Sequence, residues 1–234
     1  MLVPYDRGGV RWYMLVAGLV AASLRPAAGW PPALITLAVA LPTFAVGLFF
    51  RFWAKGCLHQ NQEVTNAGPY RFVRHPFYFG NLLVDLSVVV MSGWWPLWCV
   101  APVWWFLVYL PVMRREEKAM IDRFGDAYLA FKQRVPRVIP YRWPLPPKPG
   151  FSWQNPNVFK TEVPRTLRLL SYPLLFVLVL QFRTRGWTTE ALRHPLVLGI
   201  VAAIIVLNVT ALLVRRWALK RLAAAAAAGT DSGD

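Results

Sequence analysis

Residues 68–80 read GPYRFVRHPFYFG, and this stretch stands between long apolar runs of the chain. The Gly-Pro pair near its start predicts a turn, and Pro76 disfavours a helical conformation at His75. A bent polar segment is therefore predicted to precede an apolar helix that begins near Phe77. The first backbone N–H groups of such a helix have no partner within it, so they face the bend.

The composition indicates a membrane protein. Of the 234 residues, 56% are hydrophobic and only 16% are charged, and Trp occurs 12 times. Soluble domains have a smaller apolar and a larger charged share. The net charge of +15 would also suit a nucleic-acid partner, but the basic residues lie between apolar runs. They are better interpreted as topology signals and contacts to anionic lipid, so no nucleic-acid partner is expected.

Six apolar segments predict an all-α, polytopic bundle of about six transmembrane helices, each about 20 residues long if tilt is allowed for. They cover residues 12–24, 33–50, 77–92, 97–113, 168–182 and 194–214. If the segments alternate in direction, 22 of the 26 Lys and Arg residues fall on one side and 4 on the other. The positive-inside rule then predicts that both termini and the 68–80 stretch are cytoplasmic. Residues 7–24 also fit a cleaved signal peptide, which would leave that stretch on the same side.

The predicted organisation has five parts: membrane anchor helices at 1–60, a core at 61–140, an interfacial cover at 141–167, a C-terminal transmembrane pair at 168–222 and a disordered tail at 223–234. A helix with one apolar face is predicted for 118–134, weakened at Gly125. Residues 135–165 are rich in Pro and Trp, with too few periodic apolar positions for a helix. Cys57 and Cys99 lie on either side of a hydrophobic span, so neither a disulfide nor a cysteine metal site is expected.

A tight turn at 92–96, SGWWP, predicts that the third and fourth spans form a helical hairpin. The hairpin brings the Arg-His-Pro run at 74–76 close to the RREE run at 114–117. Both runs carry polar chemistry at the same membrane boundary. A pocket can therefore be assembled from two segments that are distant in sequence.

Five motifs occur along the core: GPY at 68–70, RHPFYFG at 74–80, EE at 116–117, FGDAY at 124–128 and RVP at 134–136. In this order and spacing they resemble the membrane methyltransferases typified by isoprenylcysteine carboxyl methyltransferase and by bacterial phospholipid N-methyltransferases. The resemblance covers residues 60–140. It implies S-adenosyl-L-methionine as methyl donor, bound at the cytoplasmic end of a helical bundle, and a lipidic or lipophilic acceptor that enters from the bilayer.

The resemblance also implies two groups of site residues. Arg114 and Glu117 would be catalytic, with Glu117 as the acid on the cofactor side and Arg114 orienting an anionic acceptor. Rings and carboxylates suit the donor, because its sulfonium is cationic and its ribose hydroxyls and amino group are hydrogen-bond donors. The predicted cofactor-binding residues are Tyr70, Arg74, His75, Pro76, Tyr78, Gly80, Glu116 and Glu117.

Several alternatives remain open from sequence. An isoprenylcysteine carboxylate needs no base, whereas a phospholipid amine must lose a proton, to Glu116, Glu117 or His75. An NADPH-dependent sterol-type reductase shares the Arg-His-Pro segment, and a non-catalytic lipid-binding protein would share the basic face. Singly, His75 could cap a helix and Arg74 or Arg114 could reach towards the membrane interface, but their joint pattern favours a site.

Overall fold

A computed structural model describes residues 9–24, 33–58, 63–148, 150–156 and 158–230. A 3₁₀ turn at Gly68–Arg71 and a π-helical turn at Val158–Glu162 accompany the α-helices, and these residues contain no strand. The predicted all-α class is confirmed. The helices are α1 (Gly9–Leu24), α2 (Ala33–Cys57), α3 (Pro76–Ser92), α4 (Pro96–Phe124), α5 (Asp126–Arg134), α6 (Val163–Leu169), α7 (Ser171–Arg185), α8 (Thr189–Arg193) and α9 (Pro195–Thr230).

Four helical stretches in the described part are long and apolar enough to cross a membrane. They are Ile35–Cys57, Pro96–Phe124, Val158–Arg185 and Pro195–Ala225, whereas α1 and α3 are apolar but shorter. Large apolar side chains such as Leu107 and Val206 are exposed on the outer faces, as expected where lipid is the solvent. Each predicted span contains a helix, and the count of six crossings stays a prediction.

The helix pair α2–α3 has the most extensive contact between elements in the described ranges. Gly47 and Gly80 face each other across this contact. A Cβ placed on Gly80 would lie 2.7 Å from the Gly47 carbonyl oxygen and 2.6 Å from Arg51 Cγ. Only glycine therefore allows the two backbones to approach this closely.

A buried apolar cluster holds α1, α3, α4 and α7 together. Its members include Leu15 of α1, Val88 and Val89 of α3, Ala101 of α4 and Phe176 of α7. The predicted hairpin of α3 and α4 forms through the turn at Ser92–Pro96, and the Gly93 N–H donates to the Val89 carbonyl oxygen over 3.1 Å. The hairpin places the start of α3 beside the end of α4.

The predicted helix at 118–134 is interrupted at Gly125, where the backbone turns to φ 52°. The Gly125 N–H still donates to the Ile121 carbonyl oxygen over 2.8 Å, which ends α4. A positive φ at this position is accessible to glycine at low cost. The single helix predicted from periodicity is therefore two helices, α4 and α5, with a change of direction between them.

Two other expectations differ from the structure. The stretch 135–165 was expected without helix, but it is helical from Val158 onwards, which makes that expectation wrong for its last residues. Val158 and Glu162 are buried there, so tertiary contacts supply the stability that the local pattern lacks. Helix α9 also continues through the alanine run to Thr230, because Ala is the best helix former, although a disordered tail was predicted from residue 223. Residues 231–234 lie outside the described residues.

Candidate functional site

The bend before α3 is held by the chain that follows α5. The Arg74 N–H donates to the Pro136 carbonyl oxygen over 2.8 Å, and the His75 N–H donates to the Arg137 carbonyl oxygen over 3.0 Å. Further on, the Leu145 N–H donates to the Arg71 carbonyl oxygen over 3.2 Å. The Arg-His-Pro and Arg-Val-Pro motifs therefore run side by side, as neighbouring backbone segments.

Glu117 of α4 joins the two motifs through its side chain. It is 3% exposed and accepts hydrogen bonds from Arg137 Nε and Nη2, both over 2.9 Å. Arg74 Nη2 lies 3.0 Å away, His75 Nε2 lies 3.3 Å away and Lys132 Nζ lies 3.9 Å away. A paired, two-point contact of this kind is among the strongest that a carboxylate makes. The hydrogen bond to Glu117 raises the pKa of Arg137, against the effect of burial.

Glu116 points to different partners. Its Oε1 accepts a hydrogen bond from the Tyr78 hydroxyl over 2.9 Å, and its Oε2 lies 3.7 Å from His75 Nδ1. Its side chain is 33% exposed, whereas that of Glu117 is 4% exposed. The two adjacent acids therefore lie in different surroundings, because Glu117 is enclosed by cations and Glu116 reaches open space.

That open space is a cavity of about 780 Å³ between α2, α3, α4, α5 and α6, which we call the first cavity. Its wall carries both signs of charge and several aromatic rings. Six predicted cofactor-binding residues line it, namely Tyr70, Arg74, His75, Pro76, Tyr78 and Glu116. The other lining residues with polar or aromatic side chains are Arg51, Lys55, Glu63, Thr65, Phe77, Asn81, Asp122, Arg123, Tyr128, Phe131, Thr161 and Arg165.

Three predicted site residues do not line the first cavity. Glu117 lies behind its wall in the cation cluster, and Gly80 faces Gly47 in the α2–α3 contact. Arg114 is exposed on α4, outside the lining. Its distance from the cavity follows from helix geometry, because residues 114 and 116 are about 200° apart around a helix axis and point in different directions.

Sequence reasoning missed a group of residues from α2 and the C-terminal part. Arg51 Nη2 lies 2.8 Å from Glu162 Oε1, and both residues are fully buried. Arg51 also donates to the Asn81 side-chain oxygen and lies 4.3 Å from the centre of the Phe77 ring. A charged residue near the end of an apolar run was the available signal, but nothing local connects residue 51 with residue 162.

Burial also keeps two cavity phenols neutral. Tyr70 has its pKa raised by burial first and then by Cys57 and Glu116. Burial raises the pKa of Tyr128 to about 12, with Glu117 acting in the same direction. A tyrosine is protonated at neutral pH without any shift, and the raised pKa extends this state to more alkaline pH, so both hydroxyls are available as hydrogen-bond donors rather than as bases.

Comparison with known proteins bears on this site directly. Residues 33–127 match the family model for phospholipid methyltransferases, a range that holds α2, α3, α4 and both glutamates. Methanethiol S-methyltransferase 1 of Bradyrhizobium diazoefficiens is 37% identical over 73 residues, which are 31% of this chain and 25% of that protein. Over these ranges the chain is therefore similar to membrane methyltransferases. The resemblance seen in the motifs is thereby confirmed.

A second relative matches over a longer range. The cobalt-zinc-cadmium resistance protein CzcN of Cupriavidus metallidurans is 27% identical over 136 residues, which are 55% of this chain and 62% of that protein. The chain thus spans about a quarter of the first relative and about three fifths of the second. No solved structure matches the chain. Across the described ranges, no group of three or more His, Cys, Asp or Glu is placed to hold a metal ion.

Proposed function

We propose that this chain transfers a methyl group from S-adenosyl-L-methionine to a lipidic or lipophilic acceptor at the membrane. The observation that carries the proposal is the first cavity, where six residues of the methyltransferase motifs meet in one wall. The membrane methyltransferase matches over 33–127 support the same reaction class. The matches do not agree on an acceptor, since one is named for a phospholipid and the other for methanethiol.

The first cavity suits the donor in size and chemistry. Its volume of about 780 Å³ lies within the range of small-molecule sites, which is about 300–1,000 Å³. S-adenosyl-L-methionine has a carboxylate that suits a cation, an amino group and hydroxyls that suit acids, and a sulfonium and a purine that suit aromatic rings. Glu116 and Asp122 would hold amino or hydroxyl groups, Arg123 would meet a carboxylate, and Tyr78 would present a ring face. Bound there, S-adenosyl-L-methionine supplies an electrophilic methyl group.

The protein's own residues would act mainly by positioning. Tyr78 is held by Glu116, and Arg74 is held by Glu117 and by the Lys132 carbonyl oxygen over 2.6 Å. Side chains fixed in this way orient a ligand without reorganising, which lowers the entropic part of the barrier. Glu117 would act as a positioning residue, because it holds Arg74 and Arg137 in place from behind the wall.

The acceptor decides whether a base is needed. A carboxylate acceptor, such as an isoprenylcysteine carboxylate, is already nucleophilic, so binding and desolvation would suffice. A phospholipid amine must lose a proton first, and Glu116 and His75 line the cavity as the candidate bases. The relative from Bradyrhizobium is named for a thiol acceptor, so a thiol belongs among the acceptors to be tested.

We also propose that the site faces the cytoplasm. The basic residues that line the first cavity lie in segments that carry 22 of the 26 Lys and Arg residues if the spans alternate. Under the positive-inside rule these segments and both termini are cytoplasmic. Cysteine-accessibility labelling in intact cells tests this, with one cysteine introduced at Arg142 and another at Trp187 and with both native cysteines replaced by serine.

Binding of S-adenosyl-L-methionine and S-adenosylhomocysteine to the detergent-purified protein tests the cofactor. We expect micromolar dissociation constants, and Glu116→Gln should weaken binding on the order of tenfold because one charged partner is lost. Arg114→Gln is the matched control, since Arg114 is exposed outside the cavity. Binding of NADPH in place of both adenosyl ligands would overturn the proposal in favour of a reductase.

A further inference from the structure

A second cavity of about 770 Å³ lies on the other side of Arg74. Its walls come from the bend before α3, from α3, α4 and the end of α5, and from the segment that follows α5; Arg74 lines both cavities. Its lining residues are Arg74, Leu82, Trp105, Phe106, Leu110, Met113, Lys132, Gln133, Val135, Pro136, Arg137, Val138, Ile139, Tyr141 and Arg142. Nine of these 15 lining residues, those from Lys132 to Arg142, lie beyond residues 33–127, the range that matches the methyltransferase family model.

The charges of the second cavity have one sign. Arg74, Lys132, Arg137 and Arg142 line it, and among the residues that the structure describes no Asp or Glu does. Arg74, Lys132 and Arg137 each form an ion pair with the same carboxylate, that of Glu117, which lies behind the wall. Arg142 donates to the Gln133 carbonyl oxygen. These four cations make the second cavity complementary to an anion, whereas the lining of the first cavity carries both signs.

The side of the second cavity that α3 and α4 form is apolar. Leu82, Leu110 and Met113 line it together with Trp105, which is 2% exposed. Trp105 and Met113 are eight positions apart, which corresponds to about 12 Å along α4, so this helix can contact part of a hydrocarbon chain. Within the described part of the chain, the buried Trp105 Nε1 has no hydrogen-bond partner. This side of the cavity is thus apolar except for the Trp105 Nε1–H group.

We propose that the second cavity binds an anionic single-chain amphiphile, with its acid group on the cations at 132–142 and its chain along α4 towards Trp105. The combination of an acid-free cationic rim with an apolar wall selects this chemistry over a neutral lipid. The cavity is a ligand site separate from the first cavity. The inference goes beyond the proposed function, because it stands on the charges and the shape of this cavity whether or not a methyl group is transferred.

Equilibrium binding of radiolabelled palmitate to the detergent-purified full chain, without any adenosyl ligand, tests this site. Hexadecanol is the neutral probe with the same chain. We expect palmitate to bind more tightly than hexadecanol, and the double variant Lys132→Gln/Arg142→Gln to lose on the order of tenfold in palmitate affinity. Arg134→Gln is the matched control, because Arg134 is exposed on α5 and lines neither cavity.

A second variant tests the apolar side formed by α3 and α4 and leaves every charged residue unchanged. Leu110→Trp places a larger side chain in the cavity and should weaken both probes, which a purely electrostatic surface contact would not show. Equal binding of palmitate and hexadecanol would overturn the proposal. An equal loss in Arg134→Gln and in the double variant would also overturn it, since the basic surface as a whole would then be the binding element. Failure here leaves adenosyl-ligand binding in the first cavity untouched, so the two proposals fail separately.

Discussion

Arg137 donates two hydrogen bonds of 2.9 Å to the buried carboxylate of Glu117, from a position 20 residues further along the chain. This pair ties the segment after α5 to the end of α4. Arg74 and His75 approach the same carboxylate from the start of α3, at 3.0 and 3.3 Å. One acid thus holds three chain segments together between the two cavities.

Glu117→Gln should destabilise the folded protein, because it leaves Arg74 and Arg137 facing each other without the charge that pairs them. Removing one partner of a buried ion pair costs about 3–5 kcal/mol, and the amide recovers part of this through its own hydrogen bonds. Thermal unfolding in detergent measures the effect as a lowered midpoint. Glu190→Gln, on the exposed surface of α8, is the control and should change the midpoint little. An unchanged midpoint in Glu117→Gln would show that the cluster is structurally dispensable.

Gly80→Ala tests whether Gly80 acts through helix packing or through the cofactor. The added Cβ would lie 2.7 Å from the Gly47 carbonyl oxygen, so α2 and α3 must separate. Overpacking of this kind costs about 1–3 kcal/mol. Gly199→Ala is the matched control, since its Cβ would meet nothing within 4 Å on α9. We expect a lowered unfolding midpoint only in the first variant, and selective loss of adenosyl-ligand binding with normal stability would argue for a direct cofactor contact instead.

Arg114→Gln and Glu116→Gln separate the predicted site residues by their place in the structure. Arg114 is exposed outside both cavities, whereas Glu116 lines the first cavity and holds Tyr78. Under the proposed function, methyl transfer should fall by at least tenfold in Glu116→Gln and stay near the parent rate in Arg114→Gln. Rates with a methyl-labelled donor and an acceptor panel measure this. A large loss in Arg114→Gln alone would restore the acceptor-orienting role predicted from sequence.

Glu162→Met should destabilise the protein more than the double variant Arg51→Met/Glu162→Met. Both side chains of this pair are fully buried, with 2.8 Å between Arg51 Nη2 and Glu162 Oε1. The single change leaves a buried guanidinium without its acid, at a cost of about 3–5 kcal/mol, while the double change removes both charges. Unfolding midpoints of the two single variants and the double variant form a thermodynamic cycle. Additive losses would mean that the pair does not couple the C-terminal part to α2.

Local features of the sequence predicted the helices well. The apolar runs, the prolines at 76 and 96 and the turn at 92–96 act on neighbouring residues, so they place the helices α3 and α4 directly. The same reasoning failed where stability comes from distant contacts, as at Val158–Glu162, or where one glycine redirects the chain, as at Gly125. Contacts between residues that are distant in sequence leave no local pattern of apolar positions, and most helical stability in proteins comes from such contacts.

The sequence alone determined the membrane class, the positions of most helices, the hairpin and the motifs that resemble those of membrane methyltransferases, because composition, periodicity and motif order are local properties of the chain. Only the tertiary structure decided which motif residues reach a cavity. In the folded protein Glu116 lines the first cavity, Glu117 is enclosed among cations, and Arg114 lies outside the cavity. The tertiary structure also pairs Arg51 with Glu162. These outcomes depend on how helices pack around one another, and side chains far apart in sequence meet only once that packing exists.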